Sequence, residues 1–300
     1  MIGKPELIAE GIGLPEGPVW CEDGTLVVTA VAEGALYRIW PDEGRPGVCR
    51  KEKIAQTDGG PNAAAPADDG GFIVTQNGGL DFSKMPLPPE YLSFPAIEAP
   101  TVFISGGLQH VAPDGTVTRV LSGMQASNDL VVGPDGTVYF TDPPTFPPPA
   151  QPVARVMARA PDGSVRVIAD GLHYVNGIVR ETDGNLIVTE GHGLLRISLD
   201  GHREWVCEDA TGSDGADGMA LDADGRIYMA AVVGNGVRVM EDGKQVDLLK
   251  LPGQGVSTNC CFGGPDNRWL FVTNGWPGNV WVWKDLPTPG LPLFKWPVPR

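Results

Sequence analysis

The feature that most constrains this chain is a turn that keeps returning. Asp-Gly, or Asp-Asn in the last case, breaks short apolar runs at Asp23, Asp69, Asp135, Asp183, Asp224 and Asp266. The intervals are 46, 66, 48, 41 and 42 residues. The runs beside these turns (TLVVTA, GFIVTQ, TVYFTD, NLIVTE, RIYMAA, WLFVTN) read as buried or half-buried strands. Asp-Gly supplies the positive-φ pair of a tight hairpin, and Asn267 can take the same conformation. A second set, at Asp114, Asp162, Asp200 and Asp242, follows runs that read as third strands. Two hairpins in each repeat of 40–50 residues predict an all-β chain: a six-bladed β-propeller of four-stranded antiparallel blades, spanning 1–300. The one long interval holds an insertion at about 80–106.

Composition agrees and narrows the function. Glycine (41) and proline (29) are abundant, and no segment carries sustained helical periodicity. Lysine plus arginine number 22 against 37 acids, a net charge of −15, which argues against nucleic acid and anionic membrane surfaces as partners. No run of eighteen apolar residues predicts a membrane span. The N-terminus lacks the basic and apolar pattern of a signal peptide. Five cysteines without a C-x-x-C pair predict a reduced, cytoplasmic protein.

Seven residues before each first-hairpin Asp stand Glu16, Asn62, Asn128, Asn176, Asp217 and Asn259, all carboxylate or carboxamide. The innermost strand of a blade runs along the central channel, so equivalent positions form a ring around the axis. Such hard oxygen donors suit one divalent cation: Ca²⁺, Mg²⁺ or Mn²⁺, with Zn²⁺ or Fe²⁺ as options. A ring of strand caps and channel waters is the alternative.

LPEGPVW (14–20), SNDLVVGPDGTVYFTD (127–142), VNGIV (175–179), ADGMALDADGRIYMA (216–230) and TNCCFGG (258–264) together resemble the motifs of the SMP-30/gluconolactonase/luciferin-regenerating-enzyme family. The resemblance implies a six-bladed propeller with one divalent cation and lactone hydrolysis. It implies Glu16, Asn176 and Asp217 as metal ligands, Asn128 as a further ligand or substrate contact, and Asp217 as the catalytic acid/base. Two places depart from the pattern. Ala126 stands where sugar-lactone members commonly carry arginine, which weakens the expectation of a sugar-acid substrate. Val175 stands where a proline is common.

The second strand of each blade returns to the metal face. Its end residues and the following loops therefore predict a substrate pocket, with Asn62, Gln76, Asp142, His173, Tyr174, His192 and Asn259 as candidate contacts. Phe82, Met85, Tyr91, Phe94 and Phe103 on the insertion, and Phe146 on the proline-rich loop 143–152, are candidate walls. The vicinal Cys260 and Cys261 read as packing residues. The expectation is a metal-dependent lactonase acting on a small molecule. The alternatives are a metal-dependent isomerase or carbon–carbon lyase acting on a carbonyl compound, and a non-enzymatic metal-binding propeller.

Overall fold

The computed structural model describes residues 2–41, 47–81, 102–212 and 214–299. The strands of these residues form six four-stranded antiparallel sheets, the blades of a six-bladed propeller. The innermost strands are Pro15–Trp20, Pro61–Pro66, Leu130–Val132, Val175–Arg180, Ala216–Leu221 and Val256–Gly263. In five blades the other three strands follow outward in chain order. The sixth blade is different. Its fourth strand is the N-terminal Glu6–Ala9, paired antiparallel with Asn279–Trp283. The two ends of the chain thus close the circle with backbone hydrogen bonds, which the turn spacing did not reveal.

The turns differ from the expected form. At most Asp-Gly sites only the glycine has positive φ, as at Gly24 (80°) and Gly136 (82°). The aspartate instead accepts the backbone N–H two residues on, Thr25 to Asp23 at 3.1 Å and Thr137 to Asp135 at 3.0 Å. Such side-chain turns explain the choice of aspartate without requiring a left-handed pair. Of the ten hairpin turns named above, only Asp242-Gly243 and Asp266-Asn267 have both residues at positive φ.

The core lies between adjacent blades, where alternate side chains of neighbouring sheets interlock. Val28, Ile39, Phe271 and Val282, for example, belong to one cluster spanning the first and sixth blades. Closer to the axis, threonines bind one blade to the next. Thr29 Oγ1 donates to the Asn62 carbonyl at 2.7 Å, Thr75 to that of Asn128, and Thr141 to that of Asn176 at 2.6 Å. Thr258 Oγ1 ties the sixth blade to the first through the Pro15 carbonyl at 2.8 Å. Each accepting carbonyl belongs to a ring residue or its immediate neighbour, so blade packing and ring geometry are one structure.

Replacing Thr141 by valine keeps the shape and removes one buried donor. The expected cost is about 1–3 kcal/mol, read as a lower melting temperature in a thermal scan. An unchanged melting temperature would show that these ties do not fix the ring.

Candidate functional site

Five of the six innermost strands carry an irregularity beside their ring residue. The register shifts between Glu16 and Val19, Pro61 and Ala64, Val175 and Ile178, Ala216 and Met219, and Ser257 and Asn259. An extra residue in one strand bends it and re-aims a side chain. Here it turns Glu16, Asn62, Asn176, Asp217 and Asn259 toward the axis. The residue after the ring position must then pass very close to the next blade. A Cβ on Gly17 would meet the Ala63 Cα at 2.3 Å, one on Gly177 the Asp217 carbonyl at 2.5 Å, and one on Gly218 the Asn259 Cγ at 2.0 Å.

In the third blade that same following position holds Asp129, which the sequence reading passed over. Its carboxyl is buried and meets Asn259 of the sixth blade. The Asn259 Nδ2 donates to Asp129 Oδ1 at 2.8 Å and to Glu16 Oε2 at 3.0 Å. Asn259 Oδ1 accepts from the Cys260 N–H at 2.9 Å. Asn259 therefore presents its nitrogen to the centre, and the ring of six oxygen donors expected from the spacing is corrected on this point. The centre has three carboxylates, Glu16, Asp129 and Asp217, tied together by amides. Glu16 also accepts from the Gly17 N–H at 2.9 Å, and the Asn176 side chain hydrogen-bonds Asp217.

Electrostatics follow from this crowding. Burial first, then the charges of Asp217 and Asp129, push the Glu16 carboxyl well above the usual carboxylate range. Burial and then Asp129 do the same to Asp217. Burial raises Asp129 to about 7, against the lowering effect of its Asn259 hydrogen bond. Neither lysine nor arginine is among the charges acting on these three groups. Burial, then Asp217 and Glu16, also hold the Tyr174 phenol protonated, which places its oxygen within their field.

Three amide oxygens complete the picture. Asn62 Oδ1, Asn128 Oδ1 and Asn176 Oδ1 are buried and accept no hydrogen bond. Buried acceptors without partners are rare because each costs about 1–3 kcal/mol. Among the described residues, no three His, Cys, Asp or Glu side chains make a metal-binding group by themselves. The donor set is instead mixed: mutually repelling carboxylates and unsatisfied amide oxygens. A hard divalent cation is the one ligand type that would answer both at once.

The remaining candidates separate into two groups. Gln76 and Asp142 are wholly buried and use their side chains to hold loops. Gln76 Nε2 donates to the Asp58 carbonyl at 2.9 Å, and its Oε1 accepts from the Gly60 and Gly78 N–H groups. Asp142 pairs with Arg155 and accepts from the Gln125 N–H at 2.9 Å. Glu190 plays the same part in the fourth blade, accepting from the His173 and Tyr174 N–H groups at 2.8 and 3.2 Å. It thereby sets Tyr174 beside the centre, where the Phe146 ring meets it edge-on at 6.2 Å. His173 and His192 are exposed. Phe103 is also exposed, while Phe82, Met85, Tyr91 and Phe94 lie outside the described residues. Cys260 and Cys261 are buried, and burial pushes both thiols up, away from the reactive thiolate.

Comparison with known proteins places this arrangement. The family model described as "SMP-30/Gluconolactonase/LRE-like region" matches residues 14–275. The chain belongs to this family. A regucalcin of Xenopus laevis is 43% identical over 83 residues, 26% of this chain and 27% of the relative. The chain thus aligns with about a quarter of that protein's length. A gluconolactonase of Zymomonas mobilis is 24% identical over 305 residues, covering 89% of this chain and 78% of the relative. Among solved structures, a calcium-binding protein, regucalcin, from Agrobacterium tumefaciens superposes with a TM-score of 0.77 at 18% identity, covering 99% and 98% of the two chains. That likeness establishes the shared propeller fold. No helix among the described residues of this family member is long and apolar enough to cross a membrane.

The raised carboxyls give a signed pH effect. In chelating buffer the folded state holds protons that the unfolded chain releases near its ordinary carboxylate range. Stability therefore falls as pH rises from about 4 through the Asp129 value of about 7. The melting temperature with chelator should drop across that window, and Asp129→Asn should shallow the drop. A flat profile in the unsubstituted protein would show that the three groups do not crowd one another.

Proposed function

We propose that this protein is a divalent-metal-dependent hydrolase that opens a lactone ring. The observation that carries the reading is the buried cluster of Glu16, Asp129 and Asp217, bridged by Asn259 and Asn176, together with the buried and unpartnered amide oxygens of Asn62, Asn128 and Asn176. Membership of the family and the named gluconolactonase relative support the lactone as substrate. Glu16, Asn176, Asp217 and Asn128 would hold the cation. When bound, it supplies charge compensation and polarisation of the substrate carbonyl.

The chain's own groups do the rest. Asn128 and Asn62 orient the lactone from the rim of the ring. Asp217 takes the proton from the attacking water as the new carbon–oxygen bond forms. The ring carbon–oxygen bond then breaks, and Asp217 returns the proton to the leaving oxygen, giving a hydroxy acid. Asn259 keeps Glu16 and Asp129 in place by donating to both. Tyr174, protonated throughout, offers a donor on the substrate side, with Phe146 at its edge. Ala126 at the place of the family's arginine favours a substrate without an acid group at that point.

Purified protein should carry about one divalent ion per chain by elemental analysis, as expected for a single hard-donor site. Chelation should abolish hydrolysis of a lactone panel, with activity restored by adding the ion back. Asp217→Asn should lower kcat by about 10²–10⁴, the usual worth of a positioned general base, while the circular dichroism stays unchanged. A metal-loaded protein that turns over no lactone, yet releases product from a non-ester carbonyl compound, would replace hydrolysis with isomerase or lyase chemistry.

A further inference from the structure

Below the ring the channel changes character. A chamber of about 380 Å³ opens there, on the side of the first-hairpin turns. Its upper end is formed by Gly17, Asp129 and Asn259, and Glu16, Asn62, Asn128, Asn176 and Asp217 take no part in its walls. Ala64, Val131, Ile178 and Ala220 form the sides. Three of these, Ala64, Val131 and Ala220, remain half-exposed although they belong to or adjoin innermost strands. Apolar side chains stay wet at the centre of a fold only where a cavity faces them.

The C-terminal segment crosses the lower mouth. Leu291 N–H donates to the Leu221 carbonyl at 3.0 Å, which fixes the segment to the fifth blade. Trp296 N–H donates to the Pro66 carbonyl at 2.8 Å, and the Trp296 ring is buried beside Ala65, Ile73 and Phe140. That anchor is on the second blade, three blades away and so across the axis. Between the anchors Leu293 and Phe294 line the chamber while about half exposed. The strap leaves a mouth with apolar lips.

We propose that this lower chamber is a second binding site, distinct from the ring, for a neutral and mainly apolar small molecule. Cavities of 300–1,000 Å³ with apolar walls and few polar groups are the usual form of small-molecule sites. An apolar cavity of about 150 Å³ takes benzene, so this one accommodates roughly ten to fifteen non-hydrogen atoms. Charge selects the neutral form. Asp129 stands at the inner end with Glu16 within its field; at the mouth the Glu181 carboxylate is held by Arg196, and the Arg180 charge acts on Asp135. An anion would face a carboxylate inside, and a fully desolvated cation would lose its water against apolar walls.

The test uses the full-length, metal-loaded protein and 1-naphthol, with 1-naphthoate as the charged counterpart. Calorimetry should give one naphthol site, and at about 1 mM ligand the melting temperature should rise, as linkage requires for a ligand of the folded state. Naphthoate should bind at least about ten-fold more weakly, a difference of about 1.4 kcal/mol. Ala220→Phe and Ala64→Phe each fill the chamber from a different wall and should cut naphthol affinity by about ten-fold or more. If one variant fails to fold, the other gives the comparison. No binding to the unsubstituted protein, equal binding of naphthoate, or undiminished naphthol affinity in a folded variant would each overturn the assignment. None of these readouts depends on lactone turnover.

Discussion

Everything at the centre of this propeller follows from forcing three carboxylates together with no lysine or arginine of the described residues acting on them. Glu16, Asp129 and Asp217 raise one another's proton affinity through burial and repulsion. A fold tolerates such a cluster only if the backbone leaves it no escape. The register shifts aim the side chains inward, the glycines behind them admit the next blade at contact distance, and threonine hydroxyls hold the ring carbonyls. Each device is local, yet together they convert blade packing into pressure on one point. On the proposed reading, a divalent cation would relieve that destabilisation.

The residues at the ends of the second strands show how that pressure is contained. Gln76, Asp142, Glu190 and Asn274 are buried, and their side chains accept from backbone N–H groups before or at the start of the innermost strand of their own blade. They set where each ring strand starts. A polar residue near an active centre is thus not automatically a substrate contact. Its hydrogen-bond partners decide, and here they point to positioning of the loops above the ring.

Much of this was legible from the sequence. The Asp-Gly intervals gave six blades because a hairpin turn is chemically conspicuous and recurs once per sheet. Counting back from each turn led to buried polar side chains such as Glu16, Asn128 and Asn259 at or beside the start of the innermost strands, since strands of similar length start at similar places. The same count missed Asp129, because it sampled one position per blade. The signal was present one place further on, where Gly17, Ala63, Gly177, Gly218 and Cys260 are small and Asp129 is not. The turn residues were identified but their conformation was not, because aspartate stabilises a turn by side-chain acceptance as readily as by positive φ. The sense in which Asn259 turns its amide depends on the Cys260 N–H and two distant carboxylates, none of which adjoins it in a recognisable motif. The C-terminal strap carries neither alternation nor turn periodicity, so only tertiary contact defines it.

The two ends of the channel make opposite chemical demands, and the chain meets them with one set of strands. Above, polar ring residues need short side chains and bulged backbone to converge. Below, the same strands continue as Val19, Ala64, Val131, Ile178 and Ala220 and have nothing polar to offer. Asp129 and Asn259 mark the boundary, touching the ring on one side and the chamber on the other. The rim adds its own selection. Ala126 is buried and offers no polar group, and Arg155 is committed to Asp142. Tyr174 and Phe146 present aromatic surface instead. On the proposed lactonase reading, a substrate that suits this rim would bring its polarity in the ring carbonyl and little elsewhere, the character that the apolar walls below would also favour.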